Sequence, residues 1–103
     1  MPTKEQLEAL LRDDPEDVFL NYGLAMALLK EGREDDALDS FDRAIELDEG
    51  YVAAYFHKGR LLMNLGRTDE ARATLTRGLS AAKQASNEQS AGEISELLAE
   101  LGD

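Results

Sequence analysis

Apolar residues recur along this chain at the i, i+3, i+4, i+7 spacing of an amphipathic helix, and no stretch alternates apolar and polar residues as a strand would. The spacing predicts a first helix over 3–14, with Thr3 and Gln6 as a capping box and Leu7, Leu10 and Leu11 on one stripe. Asp13-Asp14-Pro15 ends it, because the residue before a proline is disfavoured in the α region. Asp14 is then expected to cap a second helix, with Pro15 in its first position and Glu16 and Asp17 in its first turn. That helix runs to about Glu31, with Leu20, Leu24, Ala25 and Leu28 facing inward and Gly32 as a left-handed stop. A returning helix over 34–48 turns Ala37, Leu38, Phe41, Ala44, Ile45 and Leu47 inward and stops at Gly50.

The same plan follows again. A helix over about 51–65 has Tyr55, Gly59 and Leu62 inward and stops at Gly66; Thr68 is expected to cap a longer one over 69–84. Ser86 with Gln89 is a further capping box, and Ile94, Leu97, Leu98 and Leu101 give a last stripe opposite Glu93, Glu96 and Glu100. Shifting the chain by 34 residues superposes the punctuation: Gly32 on Gly66, Arg33 on Arg67, Asp35 on Asp69, Ala37 on Ala71 and Arg43 on Arg77. Each unit, 18–51 and 52–85, is a pair of antiparallel helices joined by a tight turn, and one such pair cannot bury its apolar face alone. Small residues at Ala37, Ala44, Gly59, Ala71 and Gly78 mark the close approaches of helix axes. The expected fold is all-α, with about six helices.

The pattern Leu24-Ala25-x-x-Leu28-x-x-x-Gly32, Ala37-x-x-x-Phe41-x-x-Ala44, Leu47-Asp48, with its second copy through Tyr55, Gly59, Leu62, Gly66, Ala71 and Gly78, resembles the tetratricopeptide repeat. Asn21, Lys58, Glu49 and Gly78 depart from the family pattern. The resemblance implies one domain over 1–103, in which helix pairs stack as a short right-handed α-solenoid. Residues 3–14 resemble the second helix of a truncated repeat, 18–51 and 52–85 two full repeats, and 88–101 a capping helix. It also implies a protein–protein interaction module whose first helices line a concave groove for a peptide or helix. By register the groove-facing residues are Phe19, Tyr22, Met26, Leu29 and Lys30, then Phe56, His57, Arg60, Met63 and Asn64. Tyr22, Met26 and Leu29 also lie away from Leu24, Ala25 and Leu28, so an apolar strip stands opposite the expected core stripe. Either a partner covers it or the end helices do. Some co-chaperones of this family clamp a terminal carboxylate with paired Lys and Asn; Tyr22, Met26 and His57 stand at those positions here, which disfavours that clamp.

Charge narrows the partners. The net charge is −11, from 22 acidic and 11 basic residues, which repels phosphate backbones and disfavours nucleic acid. Residues 1–50 hold 15 acids and 5 bases, 51–87 hold 2 and 6, and 88–103 hold 5 and none. An apolar strip rimmed by Lys30 and Arg60 suits a short amphipathic segment bearing large apolar anchors and one or two acids. Self-association through the same strip is the alternative, and the chain is expected to be a monomer or a weak homodimer. There is no cysteine, no stretch of the ~20 apolar residues a membrane helix needs, and no signal-peptide h-region after Met1, so no membrane partner and a cytoplasmic location are expected. No Gly-rich phosphate loop, G-x-S-x-G or H-E-x-x-H occurs. The sole histidine, His57, has Ser40, Thr74 and Ser80 only on other helices, so it is read as a contact residue rather than a base. The acids Asp13, Asp14, Glu16 and Asp17, and Glu34, Asp35 and Asp36, are read as helix-start acids, with weak cation binding as the rival. No enzyme, cofactor or metal site is expected.

Overall fold

The computed structural model describes residues 2–102 and contains six helices and no strand among them. They are α1 Lys4–Asp13, α2 Val18–Lys30, α3 Glu34–Leu47, α4 Val52–Asn64, α5 Thr68–Gln84 and α6 Glu88–Leu101. The chain divides after Asp48 into two compact units, each taken by itself below.

In the first unit, α1 opens on the expected capping box: Gln6 N–H donates to Thr3 Oγ1 at 3.1 Å and Thr3 N–H to Gln6 Oε1 at 2.8 Å. Of its stripe only Leu7 is buried, against Gly23 of α2, where an added Cβ would lie 3.3 Å from Leu7 Cδ2. Leu10 is 49% exposed and Leu11 half-buried, because α1 packs on α2 alone within this unit, and one neighbour covers a narrow stripe.

The link to α2 differs from the expectation. Asp14 caps the C-terminus of α1, Pro15 and Glu16 form a turn, and Asp17 caps α2, its Oδ1 accepting from Leu20 N–H at 2.8 Å. Asn21 explains the shift. Its side-chain amide donates to the carbonyls of Pro15 at 3.1 Å and Asp17 at 2.8 Å, which holds the turn outside the helix. The same bonds draw Asn21 inward, so α2 buries Asn21, Ala25 and Leu28, while Leu20 and Leu24 are half-buried. The departure at Asn21 is thus a satisfied polar group and not a packing fault.

α2 ends as expected. Gly32 sits at φ 78°, Gly32 N–H donates to Leu29 O at 3.0 Å and Arg33 N–H to Leu28 O at 2.9 Å, which closes a Schellman motif. α3 buries Ala37, Leu38, Phe41, Ala44 and Ile45; Leu47, in its last turn, is half-buried. Gly50 is not its stop. Asp48 caps α3 in an extended conformation, and Gly50 does not take a positive φ.

In the second unit, α4 and α5 are joined by the same motif at Gly66, with φ 76° and Arg67 N–H donating to Leu62 O at 2.9 Å. Thr68 does not cap α5 but is its first residue, after Arg67 at the N-cap. Arg67 makes no capping bond and instead pairs with Glu70 at 2.7 Å, as Arg33 pairs with Asp36 at 2.7 Å one period earlier. That hydrogen bond holds the Glu70 carboxyl below its ordinary pKa.

The core of this unit is built around two glycines. A Cβ on Gly59 would lie 2.3 Å from Leu75 Cδ2, and one on Gly78 would lie 2.6 Å from Tyr55 Cβ and 3.3 Å from Ile94 Cδ1. α4, α5 and α6 therefore meet at Gly78 through Tyr55 and Ile94, and Tyr55, Leu62, Leu75 and Ile94 are almost wholly buried in this unit. Tyr55 keeps its hydroxyl satisfied by donating to Glu49 O at 2.8 Å. Leu61 is also buried, which the Tyr55, Gly59, Leu62 stripe did not include. α6 spans the expected residues, buries Ile94 and leaves Leu97, Leu98 and Leu101 half-buried, and Arg72 donates to the carbonyl of Gly102 at its end.

The capping box expected at Ser86 and Gln89 does not form. Ser86 is itself the left-handed residue of a third Schellman motif, at φ 56°, and Asn87 N–H donates to Ala82 O at 2.8 Å. Asn87 caps α6, its Oδ1 accepting from Ser90 N–H at 3.0 Å. A serine held there carries a backbone cost that glycine lacks.

Two stability outcomes follow. Gly78→Ala should destabilise by about 1–3 kcal/mol through overpacking; an unchanged urea midpoint would mean that Tyr55 of α4 does not pack this closely on α5. Ser86→Gly should stabilise by about 1 kcal/mol, and a lowered midpoint would show that the serine side chain has a role the backbone strain hides.

Candidate functional site

The residues expected to contact a partner lie on α2 and α4. The two helices share a composition: neither holds any of the 22 acidic residues. α2 is apolar nearly all round, with Asn21 and Lys30 its only strongly polar side chains, and a helix of that kind is ordinarily buried.

Here it is not fully buried. Phe19 is 68% exposed, Met26 and Leu29 are half-buried, and Lys30 is exposed in the last turn. Tyr22 is half-buried and leans toward α3, its ring centroid 6.2 Å from that of Phe41 and tilted by 55°. The division of α2 into a core side and an opposite side was therefore drawn too sharply. A helix without a polar face carries no periodic signal that separates the two sides, and Tyr22 serves the edge of the core while its remaining surface stays accessible.

On α4 the arrangement is tighter. Phe56 is half-buried, the His57 ring meets it edge-on at 5.1 Å and 90°, and the guanidinium of Arg60 lies over it at 5.3 Å from the centroid. Phe56 and Arg60 are one turn apart, so their meeting was legible from spacing. Met63 is half-buried and Asn64 exposed; they continue this helix without joining the Phe56 cluster. His57 is held below its ordinary pKa first by burial and then by the positive charge of Arg60, so it is neutral at pH 7.

A feature that the sequence did not single out lies in the same unit. Arg77 stands over the ring of Tyr55 at 5.4 Å, and Glu49, Tyr55, Arg77, Ser80 and Gln84 line a shallow hollow of about 270 Å³. The 34-residue period had aligned Arg77 with Arg43, but α5's partner ring was not foreseeable from that register. Among the described residues no three His, Asp or Glu side chains converge as a metal site, and no helix is long and apolar enough to cross a membrane.

Six helices in tight pairs, repeated left-handed turns and a 34-residue period define a helical repeat protein. The chain belongs to the tetratricopeptide repeat family, whose profile matches residues 28–101. It is similar to a tetratricopeptide repeat domain protein of Salinibacter ruber, at 34% identity and a TM-score of 0.81 over 86% of this chain and 90% of that one. It is also similar to the TPR2B domain of yeast Sti1, solved as a complex with pHsp70, at 26% identity and a TM-score of 0.89 over 95% and 78%. Among curated proteins, the DnaJ homolog subfamily C member 3 of Bos taurus is 33% identical over 66 residues, a match that spans 64% of this chain and 13% of that protein.

The environment of His57 sets a pH dependence. Its folded pKa lies below its unfolded value, so the unfolded chain binds more protons as pH falls through the ordinary histidine range near 6.5. Stability conferred by the neutral form is present above that range and lost below it. Urea midpoints at pH 7.5 and 6.0 should fall for the wild type and fall less for His57→Gln; equal drops in the two proteins would show that His57 is not the titrating group.

Proposed function

We propose that this chain is a non-enzymatic module that binds a peptide or helical segment of a partner protein through accessible residues of α2 and of α4. The observation that carries the reading is α2 itself, an apolar helix that keeps Phe19, Met26 and Leu29 accessible to a partner. The complex of the similar Sti1 domain with pHsp70 supports the same class of activity. The contact residues proposed are Phe19, Tyr22, Met26, Leu29 and Lys30 on α2, and Phe56, His57, Arg60, Met63 and Asn64 on α4. Aromatic and methionine side chains of this kind suit a segment that inserts large apolar anchors, because their burial supplies most of the binding energy and methionine adapts to its shape. Ordering the segment offsets part of that gain, so micromolar affinity is expected.

A peptide library displayed on phage and selected against the chain supplies the ligand for the test. Phe56→Ala should weaken the selected peptide about tenfold or more by calorimetry, with the fold checked by circular dichroism. Unchanged affinity in a folded Phe56→Ala chain would remove α4 from the binding surface.

A further inference from the structure

We infer that the α4 face receives a segment in which a carboxylate side chain stands beside the apolar anchor, with Arg60 as the group that holds the carboxylate. The inference rests on the reading of α4 as a binding face.

Three observations converge on it. First, charge is segregated: a chain with twice as many acids as bases keeps every acid off α4, which carries Lys58 and Arg60. Second, Arg60 is exposed and, among the described residues, makes no ion pair, although 22 carboxylates are available in the chain. Third, it is held in place. Its guanidinium lies over Phe56, and the His57 ring braces Phe56 from the edge. With its central carbon over the ring and no acid of the described residues paired to it, the guanidinium keeps N–H donors that a carboxylate can take two at a time. An apolar anchor placed against Phe56 brings the neighbouring carboxylate of the same segment to those donors. The ordering that an exposed arginine ordinarily loses on pairing has largely been met here by the ring contact.

The probe is a short synthetic helix-forming peptide with two phenylalanines one turn apart and glutamates between them, prepared also with glutamine and with lysine in place of glutamate. Fluorescence anisotropy with the full chain at low salt should rank the glutamate peptide first, glutamine about fivefold weaker and lysine weakest. Arg60→Gln should level the glutamate and glutamine peptides, and Arg60→Lys should keep only part of the difference. Glutamine and glutamate peptides that bind the wild type equally, and both lose affinity with Phe56→Ala, overturn the inference and leave the binding reading in place. Absence of binding by every peptide overturns both. Displacement of the glutamate peptide by single-stranded DNA assigns the face to phosphate and overturns the inference, as does a second copy of the chain that occupies the face in sedimentation and is not displaced by the peptide.

Discussion

Three chain reversals, each with one residue at positive φ, are the constraint from which the rest of this fold follows. At Gly32, Gly66 and Ser86 the backbone turns left-handed, and the next residue donates its N–H to a carbonyl three residues inside the helix just completed. The reversal is so short that this next residue is also the N-cap of the following helix: Arg33 for α3, Arg67 for α5 and Asn87 for α6. One backbone position thus serves two helix ends. Its side chain is left to deal with the helix ahead, and two solutions occur. Asn87 accepts a hydrogen bond from the first turn of α6, whereas Arg33 and Arg67 reach an acid three residues on. The acids at Asp36 and Glu70 then sit where the helix dipole favours them, while the arginines are held at the helix start by their partners and not by the dipole.

The α1–α2 link lacks a left-handed residue, and it is where the sequence was misread. Asp14-Pro15 carries the usual signs of a helix start, yet Asn21 two turns later decides the matter by binding the carbonyls of Pro15 and Asp17. A signal that depends on a side chain reaching back six residues is invisible to local propensity. The misplaced caps at Thr68 and Ser86 have a related cause. Threonine and serine are good caps only where the backbone has room to be extended, and a reversal of two residues leaves none. By contrast, every helix and the repeat were legible, because apolar spacing and glycine position are direct records of which side is buried and where the chain must reverse.

The second unit shows how packing uses the small residues. Gly59 and Gly78 stand where the first unit has Ala25 and Ala44, all four buried. Removal of a methyl group at Gly59 seats Leu75 directly on the α4 backbone, and at Gly78 it admits Tyr55 and Ile94 together. The loss of helix propensity at a glycine is about 1 kcal/mol, which burial of a side chain as large as Ile94 outweighs. The accessible surfaces of α2 and α4 were less legible than the core for the opposite reason. On α4 a polar side exists, so spacing located Phe56 and Arg60 on one face. On α2 the apolar residues run round the whole helix, and only the structure shows Tyr22 resting on Phe41 while Phe19 stands clear.

Net charge and local charge point in different directions here, and distance decides between them. A chain of net charge −11 repels an acidic segment as it approaches, which slows encounter. At physiological ionic strength that repulsion is screened beyond about 8 Å. Once a segment is seated, the charges within that range govern how long it stays. On α4 these are cationic, and they stay few because burial first, and then the charge of Arg60, keeps the proton off His57. The face therefore presents a neutral ring on one side of Phe56 and a single oriented guanidinium over it. Acid placed elsewhere on the chain repels other acidic molecules from those surfaces, so a segment that carries both an apolar anchor and a carboxylate is the kind of ligand that the α4 face would discriminate.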